Sequence, residues 1–134
     1  MILVDTSVLI NFFRGRETTG TRYLEHIISN DIPFCINEFI YQEILQGAKD
    51  EKEFSMLKSY LSEVPMCSLK LDIQSYENAA TLNFRCRRKE ITIRSTIDLL
   101  IAETAVENGV KLLREILLAR TLLNLTFYNR LYSL

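Results

Sequence analysis

The chain opens on four apolar residues, Met1, Ile2, Leu3 and Val4, which run without alternation into Asp5. No other stretch limits the fold as much. A strand with one buried face alternates apolar and polar residues, whereas an unbroken apolar run suits a strand covered on both faces, as in a parallel sheet flanked by helices. Asp5 then stands at the carboxyl end of this strand, with the hydroxyls of Thr6 and Ser7 beside it and apolar residues resuming at Val8, Leu9 and Ile10. An ionised carboxyl in apolar surroundings costs on the order of several kcal/mol unless something compensates it or its pKa rises. The rest of the chain must supply that compensation.

The remaining pattern predicts helices over 7–14 and 19–30 and a short strand over 33–36. Asn37 then caps a helix that stops at Gly47. A helix over 50–62, a strand over 64–69 and a long helix over 72–90 come next. Ser95, Thr96, Ile97 and Asp98 have the hydroxyl-then-acid character of a helix start, for a helix that ends at Gly109 and leads into a strand over 110–113. The tail is read as a helix over 115–121 and a strand over 125–128. Strands alternating with helices imply right-handed crossovers, hence an α/β class and a three-layer α/β/α sandwich around a mostly parallel sheet. With 134 residues, 48% of them hydrophobic, and only two prolines and four glycines, residues 1–134 are read as one domain with a real core and no linker.

Composition narrows the setting. A formal net charge of −1 gives no overall attraction to nucleic acid, so such a partner requires a local basic patch. Arg85, Arg87, Arg88 and Lys89 form one, with Arg94 close behind, and Arg14 follows the first helix. Cys35, Cys67 and Cys86 are odd in number and contain no C-x-x-C pair, so free, mostly buried thiols in a reducing compartment are expected, and the protein is read as cytoplasmic. No apolar stretch reaches membrane-spanning length, and the first residues lack the basic region and cleavage site of a secretory signal. The single histidine, His26, lies in a polar helical segment and reads as a surface residue.

Angular position around each predicted helix separates solvated acids from displaced ones. Glu43 falls in the apolar arc of Phe39, Ile40 and Ile44, and Asp98 falls beside Ala102 and Ala105. Glu103 and Glu107 lie opposite and read as a solvated pair. Asp98 alone would also serve as a helix-start acid. Taken with Asp5 the three make a different proposition, because ligands of open α/β sheets bind outside the carboxyl ends of the strands. Carboxylates roughly 4 to 5 Å apart repel by about 3 to 4 kcal/mol per pair at an effective dielectric near 20. A divalent cation removes that repulsion. Oxygen donors without paired histidine or cysteine favour Mg²⁺ or Mn²⁺ over Zn²⁺, and a carboxylate-held Mg²⁺ points to phosphate chemistry.

The segments DTSVLINFF (5–13), EFIYQEILQGA (38–48) and ITIRSTIDLLIAETAVENGVKLL (91–113) resemble the PIN-domain ribonucleases, in particular the VapC toxins of bacterial toxin–antitoxin pairs. The resemblance implies that Asp5, Glu43 and Asp98 are catalytic, metal-binding acids and that Thr6 and Ser7 are the hydroxyls beside the first of them. It also implies Mg²⁺- or Mn²⁺-dependent endonucleolytic hydrolysis of RNA, transfer RNA being among the family's substrates, to leave 5′-phosphate and 3′-hydroxyl ends. The implied partner is a small VapB-like antitoxin whose C-terminal segment fills the acidic groove, and the implied assembly is a homodimer. Arg14, Arg85, Arg87, Arg88, Lys89 and Arg94 are the candidate contacts to the RNA backbone, and Tyr41 is a residue of the core or a stacking platform.

The chain departs from the family pattern in one place. After the strand corresponding to VKLL, relatives carry a short loop with a further aspartate, whereas here Leu113 is followed by Arg114, Glu115 and Ile116. Four readings stay open: Glu115 substitutes as a metal ligand, three acids suffice, the chain is a degenerate PIN domain that binds antitoxin or RNA without efficient cleavage, or residues of this loop are missing from the sequence. Other chemistries fit less well. A phosphatase with an aspartate nucleophile needs a second acid two residues on, where this chain has Ser7, and a receiver domain needs an acidic pair ahead of its aspartate.

Overall fold

The opening apolar run forms β1 (Ile2–Val4), the middle strand of a three-stranded parallel sheet with β2 (Phe34–Cys35) on one side and β3 (Lys111–Leu113) on the other. Leu3 pairs with Cys35 and with Leu112, and both Leu3 and Val4 are fully buried, as a strand covered on both faces requires. This computed structural model describes residues 1–90 and 95–115. The helices are α1 (Thr6–Phe13), α2 (Thr19–Ser29), α3 (Glu38–Gln46), α4 (Glu51–Leu61), α5 (Ile73–Arg88) and α6 (Thr96–Asn108).

Their starts follow local chemistry. The Asp5, Thr18, Asn37, Asp50 and Ser95 side chains each accept a hydrogen bond from a backbone N–H of the first turn, satisfying donors that have no helical partner. Gly109 closes α6 in the left-handed conformation, φ 62°, which glycine adopts without a Cβ penalty. The main core packs Leu3, Val4 and Leu112 of the sheet against Val8, Ile40, Leu61 and Ile101 of the helices. A second cluster joins α5 to α6 through Ala79, Leu82, Cys86, Leu99 and Leu100. The result is the expected α/β/α arrangement. Among the described residues no helix is long and apolar enough to cross a membrane.

Three expectations are corrected. The strand over 64–69 is a single parallel bridge, Ile36 to Met66: Ile36 N donates to Pro65 O at 3.1 Å and Cys67 N to Ile36 O at 2.8 Å. Beyond it the backbone turns to side chains of α6, with Asn108 donating to Ser68 O and Lys70 N donating to Glu107, so no ladder continues. Cys35 and Cys67 are joined as a disulfide, with Cα atoms 5.9 Å apart, so only Cys86 carries a free, buried thiol and the cysteines do not argue for a reducing compartment. Glu103 and Glu107 are not a solvated pair. Glu103 is 1% exposed, and Glu107 accepts from Lys70 N and Ser75 Oγ. α5 covers the side of α6 that periodicity marks as polar. Arg94, the helix expected over 115–121 beyond its first residue, and the strand over 125–128 lie outside the described residues.

Candidate active site

Parallel strands that start in register finish at one edge. Here Asp5 N donates to Leu113 O at 2.9 Å, so the exits of β1 and β3 lie side by side. Asp5 is 4% exposed and caps α1, and Ser7 Oγ donates to its Oδ2 at 2.7 Å, fixing the carboxylate's orientation. Thr6 is buried next to it. Its hydroxyl makes no formed hydrogen bond, yet it lies close enough to the Glu43 carboxylate to favour the ionised form.

Glu43 is presented half-buried by α3, and Asp98 sits in the first turn of α6, where its N–H donates to Ser95 Oγ at 3.2 Å. Burial, and next the negative charge of Asp5, push the Glu43 carboxyl above its ordinary value; Asp98 adds to the push, and Thr6 and the Arg114 guanidinium oppose it. The structure therefore brings Asp5, Thr6, Glu43 and Asp98 to one edge of the sheet from three helices and a strand.

Arg114, the first residue after β3, joins them. Its Nη2 donates to Asp98 Oδ1 at 2.8 Å, and its Nε lies 3.5 Å from Asp5 Oδ2, a charge contact without a formed hydrogen bond. Three carboxylates and one guanidinium leave two negative charges uncompensated when all are ionised. The donors are oxygens only, a set that suits a hard divalent cation. Among the described residues no three His, Cys, Asp or Glu side chains close on a common point, and the guanidinium spans two of the carboxylates.

Glu115 is not brought to the cluster. Thr18 Oγ1 and Asn11 Nδ2 donate to its Oε1, at 2.6 and 3.1 Å, and hold it against the start of α2. Arg14 is exposed and ends α1, beside a cavity of about 450 Å³ lined by Phe13, Lys49 and Met56 among others. Arg85, Arg87 and Arg88 occupy the last turn of α5, and Lys89 caps it. Arg87 and Arg88 both lie over the Phe84 ring, at 5.8 and 4.9 Å. Tyr41 packs against the main core, and His26 is an exposed residue stacked edge-on against Tyr23. Sequence reasoning did not assign Arg114 a place in the site. The available signal was the surplus of negative charge at the sheet edge and an arginine one residue past the strand that ends there.

Residues 2–115 match the family model described as the PIN domain. A VapC ribonuclease of Mycobacterium bovis is 30% identical over 115 residues, covering 84% of this chain and 84% of that protein, and a VapC ribonuclease of Mycobacterium tuberculosis matches equally. Among solved structures, the VapBC2 complex of Rickettsia felis bound to a promoter DNA fragment superposes with a TM-score of 0.64 at 22% identity, over 84% of this chain and 85% of that one. A toxin–antitoxin complex from Klebsiella pneumoniae gives 0.63 at 22% identity, over 84% and 83%.

Proposed function

The chain belongs to the PIN-domain family, and from that premise we propose that it is a VapC-like endoribonuclease, acting in the cytoplasm as a single-domain toxin and silenced by a small VapB-like antitoxin. The observation that supports this reading best is the gathering of Asp5, Glu43 and Asp98 from separate elements at the carboxyl edge of the sheet, where burial and mutual repulsion already perturb Glu43. Asp5, Glu43 and Asp98 would hold the cation, Mg²⁺ or Mn²⁺. That ion would supply an activated water and charge stabilisation at the leaving oxygen of an RNA phosphodiester.

The chain's own residues prepare the site. Ser7 fixes the Asp5 carboxylate through its hydroxyl, and Thr6 favours the ionised form of Glu43. The basic turn of Arg85, Arg87, Arg88 and Lys89, together with Arg14 and Arg94, would contact the RNA backbone, since phosphate contacts supply most nucleic-acid affinity. A homodimer is the proposed assembly, and a monomer by light scattering would overturn it. The test of function is RNA cleavage with and without Mn²⁺ by wild type and Asp5→Ala. Cleavage should require the metal and vanish in the variant. Activity that is equal in both proteins defeats the catalytic reading.

A second reading has an observation of its own. Arg114 spans two of the acids while Glu115 is engaged elsewhere, which favours a domain that binds antitoxin or RNA without efficient cleavage. It predicts no cleavage with either metal and intact partner binding.

A further inference from the structure

We propose that Arg114 is a resident counter-cation of the acidic site: its guanidinium ties Asp5 to Asp98 in the metal-free protein, and a divalent cation binds there only by displacing it. This rests on the three acids being the metal site. The first support is placement. The Arg114 side chain is 16% exposed, which takes most of a long cationic group out of water, and it contacts an oxygen of each of two acids on different elements. Those same oxygens, Asp98 Oδ1 and Asp5 Oδ2, cannot serve a guanidinium and a metal ion in full at once.

The second support is a latch. Arg114 and Glu115 are consecutive, and their side chains are held by different partners: Arg114 by the acids, Glu115 by Thr18 and Asn11. Gly20 makes the latch possible, because a Cβ there would stand 2.7 Å from Glu115 Oε1. The backbone after β3 is thus pinned where Arg114 reaches the carboxylates.

The third support is incompleteness. Arg114 Nε is buried without a hydrogen bond, and so is the Thr6 hydroxyl beside Glu43. A guanidinium brings one charge to three carboxylates and leaves polar atoms unsatisfied, so it is an occupant that a doubly charged, oxygen-seeking ion can replace.

The test is a Mn²⁺ titration of wild type, Arg114→Ala and Arg114→Gln, with free Mn²⁺ followed by electron paramagnetic resonance and melting temperature followed with and without metal. Arg114→Ala should bind Mn²⁺ at least about tenfold more tightly, equivalent to about 1.4 kcal/mol. Its metal-free form should melt below wild type and gain more from Mn²⁺. Arg114→Gln keeps a donor for Asp98 while losing the charge, and should show the same tightening, which keeps the proposal readable if the alanine variant does not fold. Equal or weaker binding by the folded variants overturns the role of Arg114 while leaving the metal site intact. If neither wild type nor variants bind Mn²⁺, the metal-site reading falls as well.

Discussion

Asp98 and Glu43 carry the same charge at the same edge, but they differ in what neutralising them would do. From sequence, Asp98→Asn should relieve carboxylate repulsion and leave the metal-free fold as stable or more so. The 2.8 Å ion pair with Arg114 reverses that sign. Asparagine keeps the Oδ1 acceptor but loses the charge that strengthens the bond, and urea denaturation of metal-free Asp98→Asn should show a loss on the order of 1 kcal/mol. An unchanged midpoint would mean the pair contributes nothing. Glu43 is the surplus acid instead. Its pKa is raised by burial first and by Asp5 next, so the folded state holds its proton more tightly than the unfolded state does. Wild-type stability is therefore lost as pH rises from the ordinary value of 4.5 through the raised folded value. Glu43→Gln removes that loss, so the variant should be the more stable protein at neutral pH and the two should converge in acid. A gap that widens toward low pH contradicts the assignment.

Elements defined by their own residues were legible from the sequence, and those defined by neighbours were not. The starts of α3 and α6 rest on Asn37 and Ser95, and the stop of α6 rests on Gly109, all local signals. Whether 64–69 forms a ladder depends on what lies alongside it, and the side chains of Asn108 and Glu107 take the backbone groups a strand would have used. The same limit misplaced Glu103 and Glu107, since periodicity assigns a polar face to α6 without knowing that α5 covers it. Glu107→Ala consequently leaves Lys70 N and Ser75 Oγ without their acceptor, and an equilibrium unfolding loss of about 1 to 3 kcal/mol is expected, where a solvated glutamate would cost almost nothing. The candidate acids were legible because Glu43 and Asp98 lie on helices whose periodicity gives their direction, and Asp5 interrupts an apolar run. Arg114 did not stand out in that way, because it is followed at once by a second charged residue, Glu115, and lies on no helix whose periodicity gives its direction.

Across the whole molecule, the Cys35–Cys67 bridge fastens the segment around Met66 to β2 over a sequence separation of 32. Closing such a loop contributes about 3 to 4 kcal/mol in the chain-entropy description, so reductant should lower the melting temperature. Alkylation of the denatured, unreduced protein should modify Cys86 alone, and labelling of all three cysteines would remove the bridge. The sheet's connectivity has a further effect. Its central strand comes from the first residues of the chain, and the neighbour that completes it on one side, with Val4 against Leu113, comes from beyond residue 110. A ribosome delivers β1 well before β3, with Glu43 and Asp98 emerging between them. The edge where the acids meet therefore cannot assemble until β3 has been made. A nascent chain that has not yet reached β3 has not yet gathered its acids.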